Sequence, residues 1–269
     1  MSSQLLDTQQ AFDSVADDYD GPLGNNALIQ RMRDRTMDAV TARIPSGSSV
    51  LDLGCGTGLD AEFLARKGYR VTAVDWSPEM VRRAALRIDA ADFCEIVRVR
   101  QLGIHEIDQL RAHSFAGAYS NLGPLNCVPD LADVARSLAN VLQPGGMLIA
   151  SVIGRVCPWE VALFTLKGQW ARARIRFAEG LAPVPLNGRT VWTRYYAPGE
   201  FESVFAAEGF RRVSLRALGL LVPPPYMDAF GARHPRLTNV LQGVEDRIAG
   251  WPVLRGWGDH FLIVLQNSD

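Results

Sequence analysis

Two short stretches carry residue types at spacings suited to a nucleoside-bearing ligand. The first is Leu51-Asp-Leu-Gly-Cys-Gly-Thr-Gly58, where Gly54, Gly56 and Gly58 recur at every second position. Glycines at a strand–helix turn let the backbone bend sharply and let a ligand approach closely. A dinucleotide turn reads G-x-G-x-x-G, with its third glycine opening a helix beneath a pyrophosphate. Here Leu59 stands where that third glycine would fall, and Asp52 lies two residues before the first. A carboxylate pointing into the turn repels a pyrophosphate and suits an ammonium group. The second stretch is Asp75-Trp76, 17 residues after Gly58. A carboxylate ending the second strand can accept from both hydroxyls of a ribose. Trp76 offers an aromatic face to an adenine. Together these residues ask for ribose, adenine and a cationic tail, without phosphate.

The surrounding pattern supplies elements to position them. Val50–Leu53 reads as a buried strand, Leu59–Lys67 as a helix closed by Gly68, and Arg70–Val74 as the next strand. Ser77-Pro78 opens a further helix, with serine as N-cap and proline in the first turn. Strands follow at Glu95–Val99, Phe115–Ser120 and Met147–Ile153, with a helical face of Leu131, Val134, Ala135, Leu138, Val141 and Leu142 between the last two. Such alternation predicts an α/β fold with a parallel sheet covered on both faces. Residues 1–26 read as polar and turn-rich, before a helix over Leu28–Arg43. Regularity lapses from Gly154 to Pro198, a long connection for such a fold. Phe201–Gly209 then reads as a helix and Arg211–Leu221 as a strand. Leu237, Val240, Leu241, Val244 and Ile248 form a last helical face before a strand at His260–Gln266.

Composition narrows the classes. With 269 residues, 48% hydrophobic and 21% charged, the chain is an ordinary globular one. No apolar run reaches the roughly 18 residues of a membrane span, so no integral membrane segment is expected. The opening MSSQLLDTQQAFD lacks the pattern of a signal peptide. A formal net charge of −1 argues against a nucleic-acid partner. Only Lys67 and Lys167 among the 28 basic residues are lysine, so a single arginine is a weak site marker. Cys55, Cys94, Cys127 and Cys157, with four scattered histidines, show no metal-ligand spacing. No metal is expected, and buried thiols of a cytoplasmic protein are the simpler reading.

The two stretches resemble the class I S-adenosylmethionine-dependent methyltransferases, in the small-molecule branch of type 11 and quinone-biosynthesis enzymes. The resemblance runs from about Phe12 to Ile153 and rests on Leu51-Asp-Leu-Gly-Cys-Gly-Thr-Gly joined to Asp75-Trp-Ser-Pro-Glu-Met. Leu142-Gln-Pro-Gly-Gly and the opening Phe12-Asp-Ser-Val-Ala-Asp-Asp-Tyr-Asp20 support it. It implies a Rossmann-like, seven-stranded, mostly parallel sheet with an antiparallel last strand, and S-adenosyl-L-methionine as cofactor. By the same resemblance Gly54, Gly56 and Gly58 border the methionine part, with Asp52 and Cys55 in the same turn. Asp75 holds the ribose, Trp76 flanks adenine, Tyr19 closes over the methionine end, and Ser120-Asn121-Leu122 line the sulfonium side. Met80 and Ile104 complete the set. In one departure, Gly103 stands where many relatives carry an aspartate for the adenine amino group, leaving Gln101, His105 or backbone groups to substitute.

Methyl transfer is an in-line displacement that rests largely on holding the nucleophile behind the methyl. A general base is needed only for a hydroxyl, a thiol or an acidic carbon. Candidates are His105, His113, His234 and His260, with Tyr19, Tyr195 and Tyr196 behind them, and none is singled out. Gly123-Pro124 follows Asn121 closely, in place of the Pro-Pro-aromatic sequence of nucleic-acid amino methyltransferases. A single domain over 1–269 is expected: an N-terminal helical segment (1–45), a cofactor-binding core (46–153), a substrate cap inserted after the fifth strand (154–198) and a completion of the sheet (199–269). Trp159, Phe164, Trp170, Phe177, Trp192 and Tyr195 are expected to wall an apolar pocket. Lys167, Arg172, Arg174 and Arg176 are expected to form a solvated face. The expected function is methyl transfer to an oxygen, carbon or nitrogen of a small-molecule acceptor. Two alternatives are a degenerate cofactor-binding module acting through a partner, and a peripheral-membrane methyltransferase with a lipid-like acceptor.

Overall fold

In the computed structural model, residues 3–268 are described. The N-terminal part is α1 (Ser3–Asp13), α2 (Pro22–Asn25) and α3 (Ala27–Thr41). Strand–helix alternation follows as β1 (Ser49–Leu53), α4 (Leu59–Arg66), β2 (Arg70–Asp75), α5 (Pro78–Ala90), β3 (Val97–Gln101), β4 (Phe115–Ser120), α6 (Leu131–Val141) and β5 (Leu142–Ile153). Next come α7 (Pro158–Leu166), α8 (Trp170–Ala173) and the hairpin β6 (Leu181–Leu186) and β7 (Arg189–Arg194). The chain ends with α9 (Pro198–Ala206), β8 (Phe210–Leu218), α10 (Asp228–Arg233), α11 (Pro235–Ile248) and β9 (His260–Asn267).

The main sheet has seven strands in the order β3-β2-β1-β4-β5-β9-β8. Its first five strands are parallel, and the last strand in sequence, β9, is antiparallel to both neighbours. Strands on both sides of 154–198 therefore belong to one sheet. Successive residues alternate between two cores: Leu51 and Leu53 pack with Leu138, Leu148 and Phe261, while Val50 packs with Tyr119, Ile149 and Val264. Truncating a side chain such as Leu53 or Leu138 to alanine should cost about 2–5 kcal/mol.

Local chemistry sets the helix starts. Asn26 caps α3 by accepting from the Leu28 and Ile29 N–H groups, and Ser77 caps α5 by accepting from Met80 N–H, with Pro78 behind it.

Three expectations need correction. Residues 3–13 and 22–25 are helical rather than a run of turns. The polar α1 is held by tertiary contacts with β7 and α5, so local pattern alone does not report it. On α11, Leu237, Val240 and Val244 face solvent while Thr238 and Glu245 are buried. The reason is that Glu245 accepts the N–H groups of Gly219, Leu221 and Val222, three donors left without a ladder after β8. Arg176 is buried rather than solvated. It spans Glu160 and Asp259 and also donates to the carbonyls of Gly154 and Asp259. That clasp ties α7 and the turn after α8 to the start of β9.

Candidate functional site

A cavity of about 340 Å³ opens at the C-terminal ends of the parallel strands, where α/β sheets bind ligands. Its floor is the turn after β1. The N–H groups of Gly54 and Cys55 both donate to the Val74 carbonyl at 2.9 Å. Gly54 has φ +79°, and a Cβ there would lie 2.5 Å from Pro124 Cβ. No side chain fits, which keeps β1 against the segment after β4.

Asp75 ends β2 and is joined to that turn. Gly56 N–H donates to its Oδ2 at 2.8 Å and Ser77 N–H to its Oδ1 at 2.9 Å. Burial pushes this carboxyl up to about 6, against the opposing pull of the two backbone donors. Trp76 meets His105 edge-on at 5.0 Å between ring centroids. The Trp76 indole N–H is buried without a partner.

A polar chain lies under the centre of the cavity. Arg33 Nη1 meets Asp60 Oδ1 at 2.7 Å, and Asn121 Nδ2 donates to Asp60 Oδ2 at 2.9 Å. Ser151 Oγ donates to Asn121 Oδ1 at 3.3 Å and accepts from Leu122 N–H at 2.7 Å. Leu122 has φ +64°, a strained conformation for a leucine. The relay from Arg33 to Leu122 fixes both the amide of Asn121 and the unusual backbone after β4.

The roof joins two segments far apart in sequence. Leu5, Thr8, Gln9 and Phe12 of α1 line the cavity beside Val184, Leu186, Val191 and Thr193 of the β6–β7 hairpin. Trp192 N–H donates to Thr8 Oγ1 at 3.1 Å and its indole to Asp7 Oδ2 at 3.0 Å. Gln9 Nε2 donates to the Trp76 carbonyl at 3.0 Å. Tyr19 is part of the wall, and burial raises its hydroxyl. Gly24 packs on its ring, where a Cβ would lie 2.9 Å from the ring carbons.

The structure brings Tyr19, Gly54, Cys55, Gly56, Asp75, Trp76, Met80, Ile104, Asn121 and Leu122 together in one wall. Asp52, Gly58 and Gly103 stand outside it. Asp52 is buried near Asp60 and Tyr119, and burial followed by the Asp60 charge raises its pKa well above the ordinary range. Gly58 is the left-handed start of α4, packed 3.1 Å from Ala84. A Cβ on Gly103 would strike the His105 ring at 2.4 Å, so this glycine makes room for that ring.

Of the base candidates, His105 and Tyr19 reach the wall. His260 is instead bound to Asp259 at 2.9 Å, and Tyr195 lies under Arg176. His113 faces the Leu142 carbonyl, His234 packs on Phe230, and Tyr196 packs on Phe201. None of the six aromatics expected from 154–198 lines the cavity. Trp159 is held by the Leu221 carbonyl, Trp192 by α1, and Trp170 and Phe177 are exposed. The hairpin's aliphatic residues take their place because its alternation turns Val184, Leu186 and Val191 inward.

Sequence reasoning missed Asp60, Arg33 and the α1 roof. An acidic residue in the first turn of a helix reads as complement to the helix dipole. Arg33 is hidden by the prevalence of arginine.

Comparison with known proteins agrees with this geometry. Residues 50–146 match the methyltransferase domain family. The ubiquinone biosynthesis O-methyltransferase of Xanthomonas axonopodis pv. citri (strain 306) is 36% identical over 139 residues, covering 51% of this chain and 56% of that protein. The chain thus spans little more than half the length of such curated relatives. Among solved structures, the 1,6-didemethyltoxoflavin-N1-methyltransferase of Burkholderia thailandensis, holding its acceptor and S-adenosylhomocysteine, aligns with TM-score 0.62 at 17% identity. That match covers 100% of this chain and 92% of the other. The cyclase SpnF aligns with TM-score 0.65 at 17% identity over 97% and 96% of the two chains. The sheet order and the cavity at its strand ends define a Rossmann-like α/β fold shared with these solved structures. The chain has the fold of class I S-adenosylmethionine-dependent methyltransferases, and its residues 50–146 match the methyltransferase domain family.

Proposed function

We propose that this chain transfers the methyl group of S-adenosyl-L-methionine to a small-molecule acceptor held in the same cavity. The Asp75 carboxylate carries the reading. Two backbone N–H groups fix its orientation, and each oxygen keeps lone-pair capacity for a ribose hydroxyl. The residues present fit the cofactor. The Trp76 indole N–H and Arg33 Nε are buried donors without partners. Asp60 and Asp75 in the wall suit a cationic ligand and oppose a phosphate.

In this reading Asp75 holds the ribose and Trp76 flanks the adenine, with Cys55, Met80 and Ile104 giving apolar contact. Arg33, Asp60 and Tyr19 meet the amino-acid end, and Asn121 and Leu122 face the sulfur. Asp52, Gly58 and Gly103 act from behind the wall, by charge, helix packing and room for His105. When bound, the cofactor supplies an electrophilic methyl on a cationic sulfur. The chain's own contribution is to hold the acceptor in line and keep water out. Segment 154–198 contributes the hairpin half of the roof. Because α1 and that hairpin lie outside residues 50–146, the acceptor is read from them rather than from the domain match.

Calorimetric titration of the chain with S-adenosylhomocysteine tests the reading. A single saturable site is expected, and a folded protein that takes up none refutes it.

A further inference from the structure

The cavity divides along the sheet. Asp75 ends β2 and His105 follows β3, whereas Ile153 ends β5. In the order β3-β2-β1-β4-β5, β2 and β5 are three strand spacings apart, roughly 14 Å. Toward β5 the wall is Val128, Ile153 and the hairpin residues Val184 and Val191, whereas Leu186 at the hairpin tip packs with Met80 and Tyr19. Among the described residues, no charged side chain and no histidine lines that part.

Among the described residues, the charged side chains of the whole wall are those of Arg33, Asp60 and Asp75. Arg33 pairs with Asp60, whose other oxygen accepts from Asn121. Both oxygens of Asp75 accept backbone N–H groups. On the β5 side the hydrogen-bonding side chains are Cys127 and Thr193, and Thr8 in the roof already accepts from Trp192 N–H. Burial pushes the Cys127 thiol up to about 11 and raises the Tyr19 hydroxyl, so neither releases a proton near neutral pH.

We infer that the acceptor is an uncharged, apolar small molecule presenting a nitrogen lone pair already free of a proton, and that the protein supplies no general base. This rests on the cofactor reading above. The nitrogen lone pair forms a bond to the methyl carbon as the carbon–sulfur bond breaks, and that bond's electron pair stays on sulfur. Positive charge passes from sulfur to nitrogen, and any N–H proton leaves to water after release. An alcohol held on the β5 side would need a proton acceptor that this part of the wall does not offer, His105 lying beyond β3 at the other end of the cavity. A carboxylated acceptor would lose its hydration with no free cation to replace it.

The test uses flat bicyclic probes with the full chain saturated with S-adenosylhomocysteine, and calorimetry as readout. Quinoline, isoquinoline and 1-methylbenzimidazole are neutral nitrogen probes, with 2-naphthoate, N-methylquinolinium and 1-naphthol for contrast. The best neutral nitrogen probe is expected to bind at least about tenfold more tightly than either charged probe. With isotopically labelled S-adenosyl-L-methionine, that probe is expected to yield its N-methyl cation at a rate flat between about pH 6.5 and 9. Ile153→Glu and Val184→Glu should each weaken neutral-probe binding about tenfold or more, while S-adenosylhomocysteine affinity stays within about threefold.

Four outcomes overturn the inference while leaving the cofactor reading intact. They are a charged probe binding as tightly, methylation of 1-naphthol in preference, no N-methylated product from any bound nitrogen probe, and unchanged probe binding in both variants. Loss of S-adenosylhomocysteine binding by the unmodified chain overturns both readings together.

Discussion

Gly56 N–H donates to Asp75 Oδ2 at 2.8 Å, which locks the glycine turn after β1 to the carboxylate that ends β2. The two stretches that stand out in the sequence are thus one physical unit. The carboxylate is aimed by the turn, and the turn's curvature is held in part by the carboxylate.

Asp75→Ala should weaken S-adenosylhomocysteine binding by roughly ten- to a hundredfold, the loss of hydrogen bonds to a charged acceptor worth about 1.5–3 kcal/mol. It also frees the N–H groups of Gly56 and Ser77. Titration calorimetry reads the change, and an affinity within twofold of the unmodified chain would contradict the ribose role.

Ligand affinity should depend on pH through the same carboxyl. Burial raises it to about 6 in the free protein, and hydroxyls donating to it favour the ionised form, so binding lowers its pKa and releases a proton. Affinity should be level above about pH 7 and fall below about pH 6, by up to about tenfold per unit. Binding measured in two buffers of different ionisation enthalpy should show proton release near pH 6. Affinity that rises on acidification would contradict this linkage.

Arg176→Met should destabilise the fold by roughly 3–5 kcal/mol, because buried Asp259 and half-buried Glu160 are left without their arginine. Burial pushes Asp259 up, but Arg176 and His260 outweigh it and hold the carboxyl well below the ordinary range. A depressed carboxylate stabilises the fold above its unfolded pKa of about 3.8 and loses that effect as pH falls further. The Tm of the unmodified chain should therefore drop below about pH 4, and the variant should show less of that drop. A Tm unchanged by the substitution would show that the clasp does not hold the fold.

Gly58→Ala and Gly168→Ala separate backbone strain from packing. Both glycines have positive φ, +83° and +68°, but only Gly58 has a neighbour in reach, Ala84 Cβ at 3.1 Å. Each should lose about 1–2 kcal/mol from the left-handed backbone. Gly58→Ala should lose about 1 kcal/mol more because α5 must shift. Urea denaturation of both variants measures the difference, and equal losses would mean that α5 yields freely.

Much of the cofactor side is readable along the chain. Gly54, Gly56, Asp75 and Trp76 sit within two strand–turn–helix units, where the strand end, the turn chemistry and the helix cap are all local. The roof is different. Thr8 and Trp192 are joined by a hydrogen bond across 184 positions, and nothing in the polar pattern of α1 marks its partner. The aromatics of 154–198 draw attention by type, yet the hairpin turns its aliphatic residues inward. The apolar stripe of α11 reads as core, yet three unpaired N–H groups after β8 bury Glu245 in its place.

By itself the sequence determined the α/β class, the parallel order of elements and the residues of the glycine turn. Each of these depends on interactions between near neighbours: backbone freedom at glycine, caps at helix ends and alternation along strands. Tertiary structure alone decided that Asp60 and Arg33 pair in the cavity wall, that Asp52 lies behind it, and that α1 and the hairpin close the roof. Those outcomes depend on which buried polar groups find partners once distant segments meet, a condition of the whole packed fold rather than of any local stretch.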